Sequence, residues 1–535
     1  MLRFLIILLS IFYLGCQGPI NLTMQPKVQA PFAKLDTLAT NDWWNREKNP
    51  IIDLDVPRNE VIAFGIYTVS NDVLKLTSQF FPLFPNESRD VRLAIKKDGK
   101  WEEIATEKIN DIGWNASFRV ENWNSKKSIT YRILHGTEAF YEGLIRAQPS
   151  KEKEFVLAAL SCNSNKDRGN RENYVRNLNE IDPDLIFFAG DQSYDHKEHT
   201  AAWIKFGMQF RETFRTRPCI TIPDDHDIGQ GNIWGENGKK ASSMAGSDGG
   251  YFFHPEYIKM VHRSQTNHLP DPYDPTPIQQ DIPVYYTHFQ WGAVDFAILE
   301  DRKFKSGPEG KIPKQGPRPD HIRNPKYDPK SIDIEGLTLL GERQLDFLNE
   351  WAEKRVAGIQ KVVLSQTGFC GGAHIHGSLD NRLHADLDSN GWPQTGRNKA
   401  LRLVKKANAI HVAGDQHLAT VIQHGIDQFD DGPWAFVVPA IVNNYYSRWW
   451  WPETEKPGAN ANNQLPWTGN YLDGFNNKIT MHAYANPNTN SNGAGFGIVR
   501  INDESFIFEC WPRFADLTKA ESKQFQGWPI TVKRY

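Results

Sequence analysis

Five short apolar runs in this chain each end on residues that can bind a metal ion or carry a proton. Residues 155–160 lead into Ser161-Cys162-Asn163, residues 185–189 into Gly190-Asp191-Gln192-Ser193-Tyr194, and residues 219–222 into Pro223-Asp224-Asp225-His226-Asp227. Residues 362–364 precede Ser365-Gln366-Thr367-Gly368, and residues 410–413 precede Gly414-Asp415-Gln416-His417. Solid apolar runs read as strands buried on both faces, and the carboxyl ends of such strands share one edge of an α/β sheet. The polar residues are therefore expected to converge although they are scattered along the chain. Asp191, Asp225 and Asp415 brought together would repel one another, and the site would take up protons or bind cations. Cys162, Tyr194 and His417 add softer, more basic ligands beside hard carboxylate oxygens, which suits a transition metal on one side and an oxygen-loving ion on the other. A two-metal centre accounts for the set. Two ions about 3.5–4 Å apart lower the pKa of a bound water to about 7 and clamp the attacking and leaving oxygens of a phosphoryl displacement.

The elements that must position these residues follow from the texture of the chain. Helical stretches lie between the runs, over Glu172–Ile181, residues 200–214 and residues 341–356, which is α/β layering. Upstream the texture differs. Short alternating runs at 61–67, 91–95, 116–120 and 129–134, with a turn at Lys97-Asp98-Gly99-Lys100, read as a small antiparallel β-sandwich. Residues 307–330, crowded with Pro, Gly and Lys, read as a surface insertion, and with residues 231–251 they are expected to shape the mouth of the cleft.

The first residues carry an address. Met1-Leu2-Arg3 is followed by an apolar run over residues 4–14, too short for the roughly 20 residues of a bilayer span. Gly15-Cys16 then resembles the lipobox of bacterial lipoproteins, and Gln17 resembles the outer-membrane class. The expected organisation is a lipoprotein signal peptide over 1–15, a tether over 16–44, an N-terminal β-sandwich domain over 45–149 and a large catalytic domain over 150–535. That implies an exported protein of the cell envelope, an outer-membrane lipoprotein or a periplasmic one, held to the membrane by a lipid on Cys16.

Composition sets outer bounds. The chain has 535 residues with 61 Lys+Arg against 64 Asp+Glu, a net charge of −3. Without a basic field, no specific nucleic-acid binding is expected. Five cysteines are too few for a disulfide scaffold. The 17 Trp in a chain of mean hydropathy −0.56 point to ring-lined loops and clefts.

Taken in order, Gly190-Asp191, Asp224-Asp225-His226-Asp227 and Gly414-Asp415-Gln416-His417 resemble the GD, GNH[DE] and GHxH motifs of calcineurin-like metallophosphoesterases. The closer resemblance is to the alkaline phosphatase D (PhoD-like) branch. There Ser161-Cys162 matches the Ser-Cys pair that replaces an Asp-x-His, and Gly190 to Tyr194 match GDxxY. Glu300-Asp301-Arg302, Leu339 to Gln344 and Val437-Val438-Pro439-Ala440 are supporting matches. The resemblance implies a four-layer αββα metallophosphoesterase domain preceded by the β-sandwich. It implies an exported phosphoesterase that hydrolyses phosphomonoesters or phosphodiesters through a two-metal-activated hydroxide. Carried over by residue, it implies that Asp191 bridges two metal ions and that Cys162, Tyr194 and His417 complete a site for Fe3+. Asp225 and Asp415 would hold the second ion, Ca2+, with other divalent metals as alternatives. Gln366 stands where other branches often carry His, which makes it a weak ligand at best. His226 would bind the substrate phosphate or protonate the leaving oxygen, and Arg302 would hold a non-bridging phosphate oxygen.

Other readings of the same residues stay open at this level. Cys162 with His226 or His417 could form a thiol hydrolase. Alternatively, a degenerate phosphatase fold could bind glycan or lipid through a platform at Trp449–Trp451, preceded by Tyr445-Tyr446. Cys219 reads as core packing, Cys370 and Cys510 have no evident partner, though one pair could oxidise in an exported chain, and His374 with His376 read as cleft-lining or solvated rather than metal-binding. The sequence leaves the oligomeric state undetermined.

Overall fold

A computed structural model describes residues 49–533 apart from 54–55, 85, 325, 374–382, 443–446, 450–456 and 486–492. The expected signal peptide, Cys16 and tether lie outside the described residues, as do His374, His376, Tyr445, Tyr446, Trp450 and Trp451.

The alternating runs near the N-terminus form seven antiparallel strands: β1 (Ile62–Ser70), β2 (Val73–Phe80), β3 (Asp90–Lys97), β4 (Lys100–Lys108), β5 (Asn115–Val120), β6 (Ile129–His135) and β7 (Ala139–Ile145). They make two sheets in the orders β1-β2-β5 and β4-β3-β6-β7. One face of β1 packs on the second sheet, where Tyr67 meets Tyr131 edge-on with ring centroids 6.4 Å apart, a spacing normal for aromatic pairs. Its other face is also buried, because it packs on the next part of the chain.

From Phe155 onward the order is β8 (Phe155–Asn163), α1 (Glu172–Ile181), β9 (Leu185–Phe188), α2 (His199–Gln209), α3 (Arg211–Phe214), β10 (Cys219–Thr221), α4 (Asp225–Ile228) and α5 (Pro255–Thr266). Then come β11 (Thr287–Trp291), β12 (Val294–Ile298), β13 (His321–Ile322), α6 (Gly341–Glu353), β14 (Gln360–Thr367), β15 (Ala385–Asp386), α7 (Gln394–Lys406) and β16 (Ile410–Gly414). The last strands are β17 (Thr420–His424), β18 (Trp434–Val437), β19 (Ala440–Val442), β20 (Gly469–Leu472), β21 (Lys478–Tyr484), β22 (Gly495–Ile501), β23 (Ser505–Pro512) and β24 (Ile530–Lys533). The expected helix over 200–214 is divided at Phe210 into α2 and α3.

Two large sheets result. The first runs β10-β9-β8-β22-β23-β24, with β19 also pairing β8, and the second runs β11-β12-β14-β16-β18-β17-β21-β20. β8, β9, β10 and β19 are parallel, as are β12, β14, β16 and β18. The sheets face each other through Phe155 on Phe296 (5.8 Å) and Phe436 on Phe508 (5.6 Å). Phe206 and Phe210 of the α2–α3 segment cover Phe188 on the outer side of the first sheet. Phe347, Leu348, Leu401 and Val404 of α6 and α7 cover the second. The architecture is thus αββα, as the motifs implied. Among the described residues no helix is long and apolar enough to cross a membrane.

The sandwich shares one continuous core with the large unit. Phe64 of β1 lies 5.5 Å from Trp203 and 5.8 Å from Phe214. A Cβ on Gly207 would come within 1.8 Å of the Phe64 ring, and that ring is walled in by its neighbours. Gly207→Ala would gain about 1 kcal/mol of helix propensity but lose about 1–3 kcal/mol to overpacking, more at so close an approach. The expected outcome is a net loss of stability, seen as a lower denaturation midpoint. An unchanged or raised midpoint would show that α2 can slide away from the sandwich.

Candidate metal centre

The site is built where strands of both sheets end. Cys162 lies in the last turn of β8, Asp191 follows β9, and Asp225 opens the short α4 after β10. Arg302 follows β12, Gln366 lies in β14, and Asp415 and His417 follow β16. Ser161 ties the two sheets together, since its Oγ accepts from the Asp415 N–H at 3.1 Å. That approach requires Gly414, because a Cβ there would meet the Ser161 Oγ at 2.1 Å. Gly190 is required for a second reason. It has φ +104°, and a Cβ would meet the Asp224 Cβ at 2.5 Å.

Four of the predicted ligands sit on left-handed backbone: Cys162 (φ 57°), Asp191 (59°), Asp415 (67°) and His417 (54°). Such conformations cost roughly 1–3 kcal/mol each in non-glycine residues and persist only where the surroundings impose them. Their gathering in one place marks a site held against local preference.

The side chains converge as two overlapping groups. Ligand atoms of Cys162, Asp191 and His417 lie within 4.8 Å of one another, and so do those of Asp191, Asp224, Asp225 and Asp415. The Tyr194 hydroxyl donates to the Asp191 Oδ2 at 2.8 Å and lies 3.0 Å from the His417 Nε2. Asp191 is common to both groups. His226 joins it too, with an atom within the same 4.8 Å of Asp191 and Asp225.

Burial and like charge raise the Asp191 carboxyl well above its usual range, with Asp224, Asp227 and Asp415 the repelling neighbours. Burial, followed by Asp191, raises Asp225 as well. The Cys162 thiol and the Tyr194 phenol are likewise pushed well up, first by burial and then by Asp191. Asp191, Asp225, Cys162 and Tyr194 therefore resist ionisation, first through burial and then through their mutual repulsion. The Asp225 Oδ1 is buried and makes no hydrogen bond. An unsatisfied carboxylate oxygen among acids of hard and soft type is what a cation site requires. The residues therefore fit metal binding.

Supporting groups that the sequence left unassigned are now visible. The Asp227 Oδ2 accepts from the backbone N–H of Asp191 (2.8 Å) and Asp224 (2.9 Å), and its Oδ1 from Ser193 N–H and Gln265 Nε2 (both 3.0 Å). Asp227 thus fastens two ligand loops together. Burial lifts its carboxyl to about 6 against those four donors. The His226 ring stacks on Tyr194 at 4.1 Å, and its Nδ1 lies 2.7 Å from the His196 Nε2, which leaves its other edge toward the cleft. Burial holds its basicity well below the usual histidine range.

Three expectations are revised. Arg302 was expected to hold a phosphate oxygen, but its guanidinium is surrounded by protein acceptors. Its Nε and Nη2 reach the Asp224 oxygens (2.8 and 3.2 Å), its Nη1 reaches Asp388 O and Oδ1 (2.9 and 2.7 Å), and its Nη2 also lies 3.0 Å from Asp415 Oδ1. Four hydrogen bonds and the ion pair to Asp415 thereby engage all three nitrogens, and Arg302 positions three carboxylates. The Gln366 amide is taken up by protein partners. Its Nε2 donates to Pro223 O and Tyr285 OH, and its Oε1 accepts from Asp301 N–H. Trp449, expected in a cleft wall or platform, is fully buried, packs edge-on against Tyr471 at 5.3 Å and donates to Trp467 O. Cys162, Cys219, Cys370 and Cys510 are all free and buried.

A cleft of ≈ 240 Å³ opens over the centre, lined by Asp191, Asp225, His226, Asp388, Asp415 and His417. Asn232, Arg318, His321 and Asp386 also line it, two of them from the insertion at 307–330.

Comparison with known proteins agrees with this geometry. A solved structure described as PhoD superposes with TM-score 0.61 at 14% identity, over 90% of this chain and 91% of that one. The purple acid phosphatase PPD1 from yellow lupin (Lupinus luteus) seeds matches with TM-score 0.52 at 12% identity, over 89% of this chain and 75% of that one. At such identities the likeness establishes a shared metallophosphoesterase fold. No curated protein matches by sequence. The family model described as PhoD-like phosphatase matches residues 202–481, more than half of the chain, a span that holds Asp225, Arg302, Asp415 and His417 and begins after Cys162, Asp191 and Tyr194. With that match, and with the missing ligands brought to the same point by the fold, the chain belongs to the PhoD-like phosphatase family and is a phosphate-ester hydrolase.

Proposed function

We propose that this phosphatase works through two adjacent metal ions that share Asp191. Cys162, Tyr194 and His417 hold one of them together with Asp191, and their sulfur, phenolate and imidazole donors suit Fe3+. Asp225 and Asp415 hold the other through hard oxygens, which suit Ca2+ or another divalent ion. The observation that carries this reading is the position of Asp191 between a thiol-phenol-imidazole set and a carboxylate set, with the Asp225 Oδ1 left unpaired. Bound ions supply Lewis acidity and a nucleophile usable at neutral pH.

The chain's own groups do the rest. Asp227 holds the Asp191 and Asp224 loops in register. Arg302 neutralises and orients Asp224, Asp388 and Asp415. His226, stacked on Tyr194 and backed by His196, presents a ring nitrogen to the phosphate or to the leaving oxygen. A thiol mechanism is disfavoured by the same geometry. A nucleophilic cysteine needs a lowered pKa, whereas Cys162 is buried and raised, with Ser161 Oγ as its near neighbour at 3.0 Å.

This reading carries with it an exported protein of the cell envelope with a lipid on Cys16, which rests on the run from Met1 to Gln17. Elemental analysis of the purified protein, paired with a panel of phosphomonoesters and phosphodiesters, tests the metal reading. The expected result is stoichiometric metal, including iron, with hydrolysis abolished by chelators and indifferent to thiol alkylation. Full turnover by metal-free protein, or inactivation by alkylation that leaves the metal content unchanged, would overturn it.

A further inference from the structure

We propose that Arg318 binds a second anionic group of the substrate, carried on the alcohol side of the scissile ester. The proposal rests on hydrolysis at the Asp191 centre and adds what the remainder of the cleft selects.

The argument begins with the two arginines near the cleft. Arg302 has all three nitrogens engaged by Asp224, Asp388 and Asp415 and is 3% exposed. Arg318 differs. Its Nε and Nη2 lie on one carboxylate, that of Asp320, at 3.1 and 2.9 Å, and its side chain remains 53% exposed at the cleft wall. Its Nη1 makes no hydrogen bond among the described residues. A guanidinium held along one edge by a carboxylate, with its remaining N–H groups turned to solvent, is preorganised for a carboxylate or phosphate oxygen.

The mounting is rigid. Asp320 is buried, and it also accepts from Asn232 Nδ2 at 2.7 Å, with His321 Nε2 at 3.4 Å. β13 and β15 pair His321 with Asp386 and Ile322 with Ala385, and Leu387 N–H donates to Asp320 O. The Asp388 N–H then donates to Asp386 Oδ1, and Asp388 is bound to Arg302. An unbroken hydrogen-bonded frame therefore sets the separation between Arg318 and the metal-binding carboxylates. Arg318 lines the same cleft as Asp191 and Asp225, so with a phosphate held at those carboxylates it faces the space left for whatever is esterified to that phosphate. Asp388 is already paired with Arg302, so the positive charge offered to a second anion in this part of the cleft is that of Arg318. The inferred substrate class is phosphate esters whose alcohol carries a further phosphate or carboxylate.

The test uses the metal-loaded full chain and calorimetric binding of three probes: inorganic phosphate, propane-1,3-bisphosphonate and 3-phosphonopropionate. The quantity read is the ratio of each two-anion Kd to the phosphate Kd, which a general loss of fold or metal does not shift. In Arg318→Gln that ratio is expected to rise at least about tenfold, and Arg318→Lys is expected to recover part of the change. A rise confined to the bisphosphonate assigns the second group as phosphate, and a rise for both assigns it as any anion. Ratios that stay within twofold of wild type while phosphate still binds would overturn the role of Arg318. If wild-type protein loaded with metal binds no phosphate and turns over no ester, the hydrolytic reading fails and this proposal falls with it.

Discussion

Asp191→Asn is expected to lower kcat/KM for any phosphate ester by about 10³-fold or more, equivalent to ~4 kcal/mol of transition-state stabilisation. Among the described residues Asp191 is the one carboxylate that belongs to both ligand groups of the centre, so its loss is expected to affect both ions together. The fold should survive, because the amide oxygen can still accept from the Tyr194 hydroxyl, which now approaches at 2.8 Å. The metal-free variant should even be more stable than metal-free wild type, since the substitution removes a buried charge facing Asp224, Asp227 and Asp415. Conversely, added metal should raise the variant's Tm far less than that of wild type, because ions stabilise the state that binds them. Kinetics and thermal melts with and without metal check both halves. Purified Asp191→Asn with wild-type turnover would sink the proposed mechanism.

The second large effect is a pH dependence confined to the metal-free protein. Burial, then mutual repulsion, raises Asp191 and Asp225 well above the ordinary carboxyl value of about 4, burial also raises Asp224, and Asp388 is lifted to about 7 and Asp227 to about 6. Below about pH 4 these groups are protonated in the folded and unfolded chains alike, and no penalty exists. As pH rises further the unfolded chain releases protons that the folded chain retains, so stability falls until the folded values are passed. Chelated protein is therefore expected to lose Tm from pH 5 to pH 8, by roughly 5 °C or more. Metal-loaded protein should show little of this slope, because the cations compensate the carboxylates. The difference between the two melting series isolates the site from the rest of the titrating surface. A chelated protein whose Tm is flat or rises over that range would show that the cluster carries no excess negative charge.

The buried strands and the residues that follow them were open to sequence reading for a physical reason. A strand covered on both faces must be apolar at every position, so β8, β9, β10, β14 and β16 stand out as solid runs, and β8, β9, β10 and β16 each carry a candidate ligand within a few residues of the end. Cys162, Asp191, Tyr194, Asp225, Asp415 and His417 are local consequences of that rule. The later strands obey no such rule. β22 lies between β8 and β23, antiparallel to both, and pairs Ile501 with Phe155 across nearly the whole length of the large unit. No short window of residues encodes a partner so far away.

The same limit governs the polar residues whose roles changed. An arginine after a strand is equally suited to a substrate phosphate or to protein carboxylates, and the choice for Arg302 depends on Asp224, Asp388 and Asp415 arriving from three other loops. Gln366 is diverted by Tyr285 and Pro223, and Trp449 by Tyr471 and Trp467, all contacts made between distant segments. Arg318 becomes a cleft residue only because the β13–β15 pairing folds its insertion back beside Asp388. The sequence by itself determined which residue types could bind metal and that they sit at strand ends, since both follow from local chemistry and local burial. Tertiary structure alone decided which donors were left free and which backbones were held at positive φ, because both depend on neighbours that only folding brings within a few ångströms.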